Sequence, residues 1–186
     1  MLPIGTAAPH FQLPATDGQV VGLEQLAGGP ALLVMFICNH CPYVKHVAGQ
    51  LAKLGDDYLA QGVKIVAINS NDTDAYPDDN LEAMQREVAS RGYRFPYLLD
   101  ADQSVAQAYR AACTPDFFLF DGEHKLVYRG QLDPSRPGSD IPVTGSDLRA
   151  ALDAVLAGSV PATTQQPSLG CNIKWRPGNE PEYFAG

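Results

Sequence analysis

Two cysteines, Cys38 and Cys41, open and close the first four residues of the segment CNHCPYVKH. A thiol pair at this spacing can close a disulfide or share a metal, and its surroundings decide which. Pro42 follows Cys41 directly. Proline is favoured at the first helical position, where its missing N–H would have no intrahelical partner. Cys41 then falls at the N-cap, its sulfur set against unpaired backbone N–H groups and the positive end of the helix dipole. Both favour thiolate over thiol, and the thiolate is the reactive species. Cys41 is therefore the expected nucleophile, with a pKa below the unperturbed value of about 8.5. Lys45 and His46, in the first turns, would add to the effect. Cys38 lies just outside the helix and is the candidate resolving thiol; its plainer use is as a small buried residue that ends a strand.

Other reactive side chains lie far off in sequence. Cys171 could bring a second resolving thiol from the tail, or could simply pack beside Trp175. Cys113 reads as a thiol that lines the site, either as a redox partner or as a packed structural residue. Thr114-Pro115 follows it, and an X–Pro bond is the one place where a cis peptide costs only about 0.5–1 kcal/mol. His40 and His46 flank the cysteine pair and read as partly exposed bystanders. Asp72, Asp74, Asp78 and Asp79 resemble a cation loop but lack the glycine and terminal glutamate of an EF-hand, so they read as a solvated acidic loop. A metal could use Cys38 and Cys41 with His46, Cys113 or Cys171, yet the second close ligand pair of a structural zinc site is missing. Neither metal nor cofactor is expected.

These residues need elements to position them. Residues 31–37 form a continuous apolar run after Gly28-Gly29-Pro30, the pattern of a strand buried on both faces. From Pro42, the positions Val44, Val47, Ala48, Leu51, Leu54 and Tyr58 make one helical stripe. Residues 63–69 form a second buried strand. Leu81, Met84, Gln85 and Val88 mark a helix stopped by Gly92, followed by a short strand at 96–99 and a short helix around Val105 to Ala112. Strands at 117–120 and 126–129 flank Asp121-Gly122 as a hairpin, and Ser146 is the expected cap of a last helix. Residues 11–13 and 20–23 suggest a further hairpin near the N-terminus. Strands that alternate with helices and end in an antiparallel pair predict an α/β fold, a central mixed β-sheet flanked by helices on both faces, with an N-terminal hairpin extension.

The chain has 186 residues, enough for a full core in one domain without disulfide staples. Residues 1–158 read as that domain. The tail, residues 159–186, is rich in Thr, Gln, Pro and Gly but carries Cys171, Ile173, Trp175 and Tyr183, so part of it is expected to dock on the body. Thirteen basic against 21 acidic residues give a net charge of −8, which argues against nucleic acid and anionic membrane as partners. The start has no basic region followed by an apolar stretch, so a cytoplasmic protein is expected. Thiols there are kept reduced, and a close pair is more often catalytic or metal-binding than structural.

The segments CNHCPYVKH, ACTPDFFLFD and GCNIKW together resemble the alkyl hydroperoxide reductase/thiol-specific antioxidant, or peroxiredoxin-like, branch of the thioredoxin superfamily, over nearly the whole chain from Ile4 to about Tyr183. The resemblance implies a thioredoxin-like fold in which a cis Thr114-Pro115 faces the nucleophile, and thiol redox chemistry centred on Cys41. It implies a thiol–disulfide oxidoreductase or peroxiredoxin-like antioxidant protein, acting on a thiol/disulfide substrate or a peroxide. Its reductant would be of thioredoxin type or a low-molecular-weight thiol. Set against the thioredoxin segment FWAEWCGPCK, Cys41 takes the first cysteine and Val44 the second, so the usual resolving position is apolar. Set against peroxiredoxins, Val34 and Cys38 take the Pro and Thr positions before the nucleophile, and Pro115 takes the place of the activating arginine. Without those donors peroxide is poorly polarised, and exchange between sulfurs survives the comparison better. A metal-binding protein, or a redox-inactive interaction module on the same fold, is the alternative.

Overall fold

In a computed structural model that describes residues 1–184, the chain opens with a hairpin of β1 (Gln12–Pro14) and β2 (Val20–Gly22). The order then runs β3 (Ala31–Phe36), α1 (Pro42–Leu59), β4 (Lys64–Asn69), α2 (Leu81–Arg91), β5 (Tyr97–Leu99) and α3 (Ser104–Tyr109). It continues through β6 (Cys113–Thr114), β7 (Asp116–Asp121), β8 (Leu126–Gly130), α4 (Ser146–Leu156) and a two-residue strand in the tail, β9 (Cys171–Asn172). Five strands form the central sheet in the order β5-β4-β3-β7-β8. β3, β4 and β5 run parallel, and β7 and β8 complete the sheet antiparallel. This is the mixed α/β sheet that the strand–helix alternation predicts and the thioredoxin-like fold that the resemblance implies.

Every residue of β3 is buried, because both faces of the sheet are covered. Successive side chains of a strand point to opposite faces, and β3 shows the consequence. Leu33 and Met35 join Val44, Val47, Leu51 and Leu54 of α1 and Leu148 and Leu152 of α4 in one core. Leu32, Val34 and Phe36 join Val105, Ala106 and Tyr109 of α3, together with Phe11 and Leu13, in the other. The apolar stripe read from the sequence is the buried face of α1.

One cap differs from expectation. Gly145, at φ 72°, caps α4, and Ser146 is its first helical residue. The reason is the carboxylate of Asp133, which accepts the N–H groups of Thr144 and Gly145 at 2.8 and 2.6 Å and turns the chain one residue earlier. A glycine suits that turn because a left-handed backbone disfavours a Cβ.

The tail packs on both the edge and the underside of the sheet. Gln131 N–H donates to the Gln166 carbonyl at 2.9 Å and Ser168 Oγ to the Gly130 carbonyl at 2.6 Å, so residues 166–168 run beside the end of β8. β9 then pairs antiparallel with β6, Cys171 opposite Thr114. Ile173 and Trp175 are buried in the α3-side core, and the peptide groups of Lys174 are held by Asp72 N–H and by the Asn71 side chain. The last two residues of the tail lie outside the described residues. No helix among the described residues is long and apolar enough to cross a membrane.

The burial of Ile173 gives a first test. Ile173→Ala is expected to lower unfolding stability by about 2–4 kcal/mol, the usual cost of removing a fully buried branched side chain. Urea denaturation would show it as a reduced midpoint with an unchanged slope.

Candidate active site

The C-terminal ends of β3 and β4 lie side by side because the strands are parallel and in register, Phe36 opposite Ile68. The loops that follow them therefore meet. The first carries Cys38 to Cys41, and Cys41 is the N-cap of α1 with Pro42 behind it, as its sequence position predicts. The Cys41 sulfur has no exposed surface. It lies 3.2 Å from the Thr114 carbonyl oxygen, to which its thiol form donates. The Cys38 sulfur lies 3.4 Å from Thr114 Oγ1, and the Thr114-Pro115 bond is cis. Four of the residues singled out in the sequence, Cys38, Cys41, Thr114 and Pro115, thus converge although more than seventy positions separate the two pairs.

Hydrogen bonding divides the protons among the sulfurs. The Cys38 thiol donates to Cys41 and pulls the Cys41 pKa well below the ordinary thiol range. Burial opposes this, and the neighbouring Cys171, Thr114 and the backbone at Val44 act in the lowering direction. Cys38 is driven the other way, above the ordinary range, by the bond it gives to Cys41, by burial and by the charge of Asp79. Of the pair, Cys41 is the sulfur whose charged form is favoured and Cys38 the one whose proton is favoured. Lys45 is not among the groups that chiefly lower Cys41, and His46 bonds Ser135 Oγ at 2.7 Å instead.

Cys171 and Cys113 come close by different routes. Pairing of β9 with β6 sets Cys171 opposite Thr114, whose carbonyl oxygen also touches the Cys41 sulfur. Burial and the bond to Cys41 raise its pKa. Cys113 is buried, its sulfur donates to the Pro115 carbonyl at 3.7 Å, and burial raises its pKa far above the thiol range. All four cysteines are free. A cleft of about 290 Å³ opens beside the cis-proline, walled by Tyr43, His46, Pro115, Phe117 and Leu169.

Asp79 is the residue that the sequence reading misses. It lies in the expected solvated loop but is completely buried, and Asp72 is buried as well. Asp79 Oδ1 accepts the backbone N–H groups of Asn39 and His40 at 2.8 and 3.3 Å. Its Oδ2 accepts from Asn71 Nδ2 at 2.8 Å and lies 2.5 Å from His40 Nδ1. One carboxylate thus ties the Cys38–Cys41 loop to the loop after β4. His40, read as a bystander, is part of this frame, its ring stacked on Tyr76. The only signal for Asp79 in the sequence is topological, since loops after adjacent parallel strands share one end of the sheet.

The ligand set of the metal-binding alternative does not assemble among the described residues. Among the described residues, the donor atoms that converge within 4.8 Å belong to Cys38, His40 and Asp79. Cys41, His46, Cys113 and Cys171 are outside that group. Its carboxylate is already engaged by two backbone N–H groups and an amide, the arrangement of a structural tie.

Two measurements test this account. Asp79→Ala strands buried donors of the cysteine loop and is expected to cost on the order of 3 kcal/mol in denaturant unfolding. The lowered Cys41 pKa means that the folded state binds fewer protons than the unfolded one at intermediate pH. Its contribution to stability is complete above the unfolded thiol value near 8.5 and is lost as pH falls through the folded value. Unfolding free energies of wild type and Cys41→Ser should therefore diverge as pH rises from acid to about 8.5.

Comparison with known proteins agrees with this geometry. Two solved structures, a hypothetical protein from Sinorhizobium meliloti and an uncharacterized conserved protein from Geobacillus kaustophilus, are each 55% identical with a TM-score of 0.94. Both alignments cover 96% of this chain, and they cover 97% and 95% of the respective relatives. The thiol-disulfide oxidoreductase ResA of Bacillus subtilis is 31% identical over 123 residues, 66% of this chain. The chain spans 64% of that relative's length. The Redoxin family model matches residues 3–151. With its thioredoxin-like sheet, a cysteine at the start of α1 and that match over most of its length, the chain belongs to the Redoxin family.

Proposed function

We propose that the protein is a thiol–disulfide oxidoreductase in which Cys41 is the redox nucleophile. The observation that carries this reading is the placement of the Cys41 sulfur at a helix start against the cis Thr114-Pro115 segment, 3.2 Å from the Thr114 carbonyl oxygen. A thiolate stabilised in this way is both a usable nucleophile and a good leaving group, and with a neighbouring thiol it can close and open a disulfide. The name of the B. subtilis relative supports the same reaction class. Substrates would be disulfides or dithiols, with a thioredoxin-type protein or a low-molecular-weight thiol as reductant.

The finer peroxiredoxin-like, antioxidant reading has weaker support. The groups that chiefly act on Cys41 are thiols, Thr114 and a backbone N–H, a set suited to sulfur exchange. Cys38 and Pro115 stand where peroxiredoxins carry a threonine and an arginine, so the donors that would polarise a peroxide are replaced.

Ultraviolet absorbance of the thiolate against pH, wild type minus Cys41→Ser, should show a titration well below the free-thiol value of about 8.5. Cys41→Ser should also lose the oxidation of a dithiol peptide by oxidised glutathione, and hydrogen peroxide should serve wild type less well than that disulfide. A serine variant that turns over at the wild-type rate would overturn the assignment.

A further inference from the structure

Burial of the nucleophile poses a question of access. Cys41 has no exposed surface and Cys38 only 2%, so an incoming sulfur meets neither directly. Cys171, in contrast, is only partly buried. It sits in a strap fastened at both ends. On one side Ser168 Oγ donates to the Gly130 carbonyl at 2.6 Å, and on the other Ile173 N–H donates to the Ala112 carbonyl at 3.1 Å. Between them, Gly170 passes so near the Thr114 carbonyl that a Cβ would stand 2.0 Å from its oxygen. A side chain cannot be accommodated there, so the close pass over the cis-proline strand depends on glycine.

The strap brings Cys171 to the same helix end that holds Cys41. Cys171 is set opposite Thr114, whose carbonyl oxygen lies 3.2 Å from the Cys41 sulfur, and it packs against the core that contains Cys41. Cys38 instead faces Thr114 Oγ1 from the buried side.

We propose that Cys41 and Cys171 are the redox couple and that Cys171, the accessible sulfur, is the one that meets the substrate while Cys41 acts from beneath it. This rests on Cys41 being the nucleophile and names its partner. In the oxidised protein a substrate thiolate attacks the Cys171 sulfur. The Cys41–Cys171 bond breaks, its electron pair stays on Cys41 as thiolate, and a substrate–Cys171 mixed disulfide forms. A second substrate thiolate attacks the substrate sulfur of that disulfide and expels Cys171, which takes a proton from water. Two substrate thiols have become a disulfide, and the protein holds two reduced sulfurs. Run backwards, the same steps let a disulfide substrate reoxidise the protein, with Cys41 attacking Cys171 in the last step. The polarity follows from leaving-group ability, since the sulfur with the lower pKa departs faster. Attack on Cys41 would have to reach a sulfur without exposed surface and expel the poorer leaving group.

The test treats the full-length protein with one equivalent of oxidised glutathione and maps the products by mass spectrometry. Wild type should yield a Cys41–Cys171 bridge and release both glutathione halves. Cys41→Ser should stop at glutathione on Cys171. Cys171→Ser should react about tenfold more slowly or worse, because only the covered sulfur remains to attack. A Cys38–Cys41 bridge in wild type, or oxidation of Cys171→Ser at the wild-type rate, would overturn the pairing and leave the role of Cys41 intact. Continued turnover by Cys41→Ser would overturn the assignment of Cys41 itself. The wild-type map needs no variant to fold.

Discussion

The free N–H groups at the start of α1 are the constraint around which this site is built. A helix cannot satisfy its first donors internally, and here they lie under the protein surface, where an unpaired donor is costly. Cys41 stands at that end as the N-cap, its sulfur buried 3.2 Å from the Thr114 carbonyl oxygen, and the backbone at Val44 is among the groups that favour its charged form. Burial alone would keep a thiol protonated. The surroundings reverse that preference for Cys41 and strengthen it for its neighbour Cys38.

That helix end has to be held, and the sheet does so from several directions. Parallel pairing of β3 and β4 brings their following loops together, and Asp79 joins the loops through backbone bonds to Asn39 and His40. Tyr97 on β5 adds a hydroxyl that donates to Asn39 Oδ1 at 3.0 Å. The cis-proline strand closes the site from the antiparallel side of the sheet, with Thr114 in contact with both Cys38 and Cys41. Each support comes from a different strand, which is how loop residues acquire the rigidity that a reactive sulfur needs.

How much of this was legible follows from the range of the interactions. The strands at residues 31–37 and 63–69 and the stripe from Val44 to Tyr58 are local patterns, and they appear in the fold where they were read. Cys41 before Pro42 was readable for the same reason, since capping is decided within a few residues. Asp79 was misread because its burial depends on two loops meeting across the sheet, and an aspartate among aspartates carries no local sign of that. Ser146 lost the cap to Gly145 through Asp133, a residue from an earlier loop. Cys171 could be named as a candidate, but its strand pairing with Thr114 joins positions far apart in the chain, and no local pattern encodes it.

The short pairing of β9 with β6 has a further consequence for recognition. An exposed strand edge is a template on which another extended chain can add itself. Here the backbone of Cys113 and Thr114 already pairs with the chain's own tail. At the outer edges of the main sheet, Ala15 bridges to Leu98 beside β5, while Gln131 and Arg129 beside β8 donate to Gln166 and Gln165. With these backbone groups committed internally, a partner gains little by lying down as an extra strand. In the proposed exchange, selectivity would then fall to side chains around the cleft and to the size and charge of whatever carries the incoming sulfur, a discrimination by shape at a point instead of by backbone along a line.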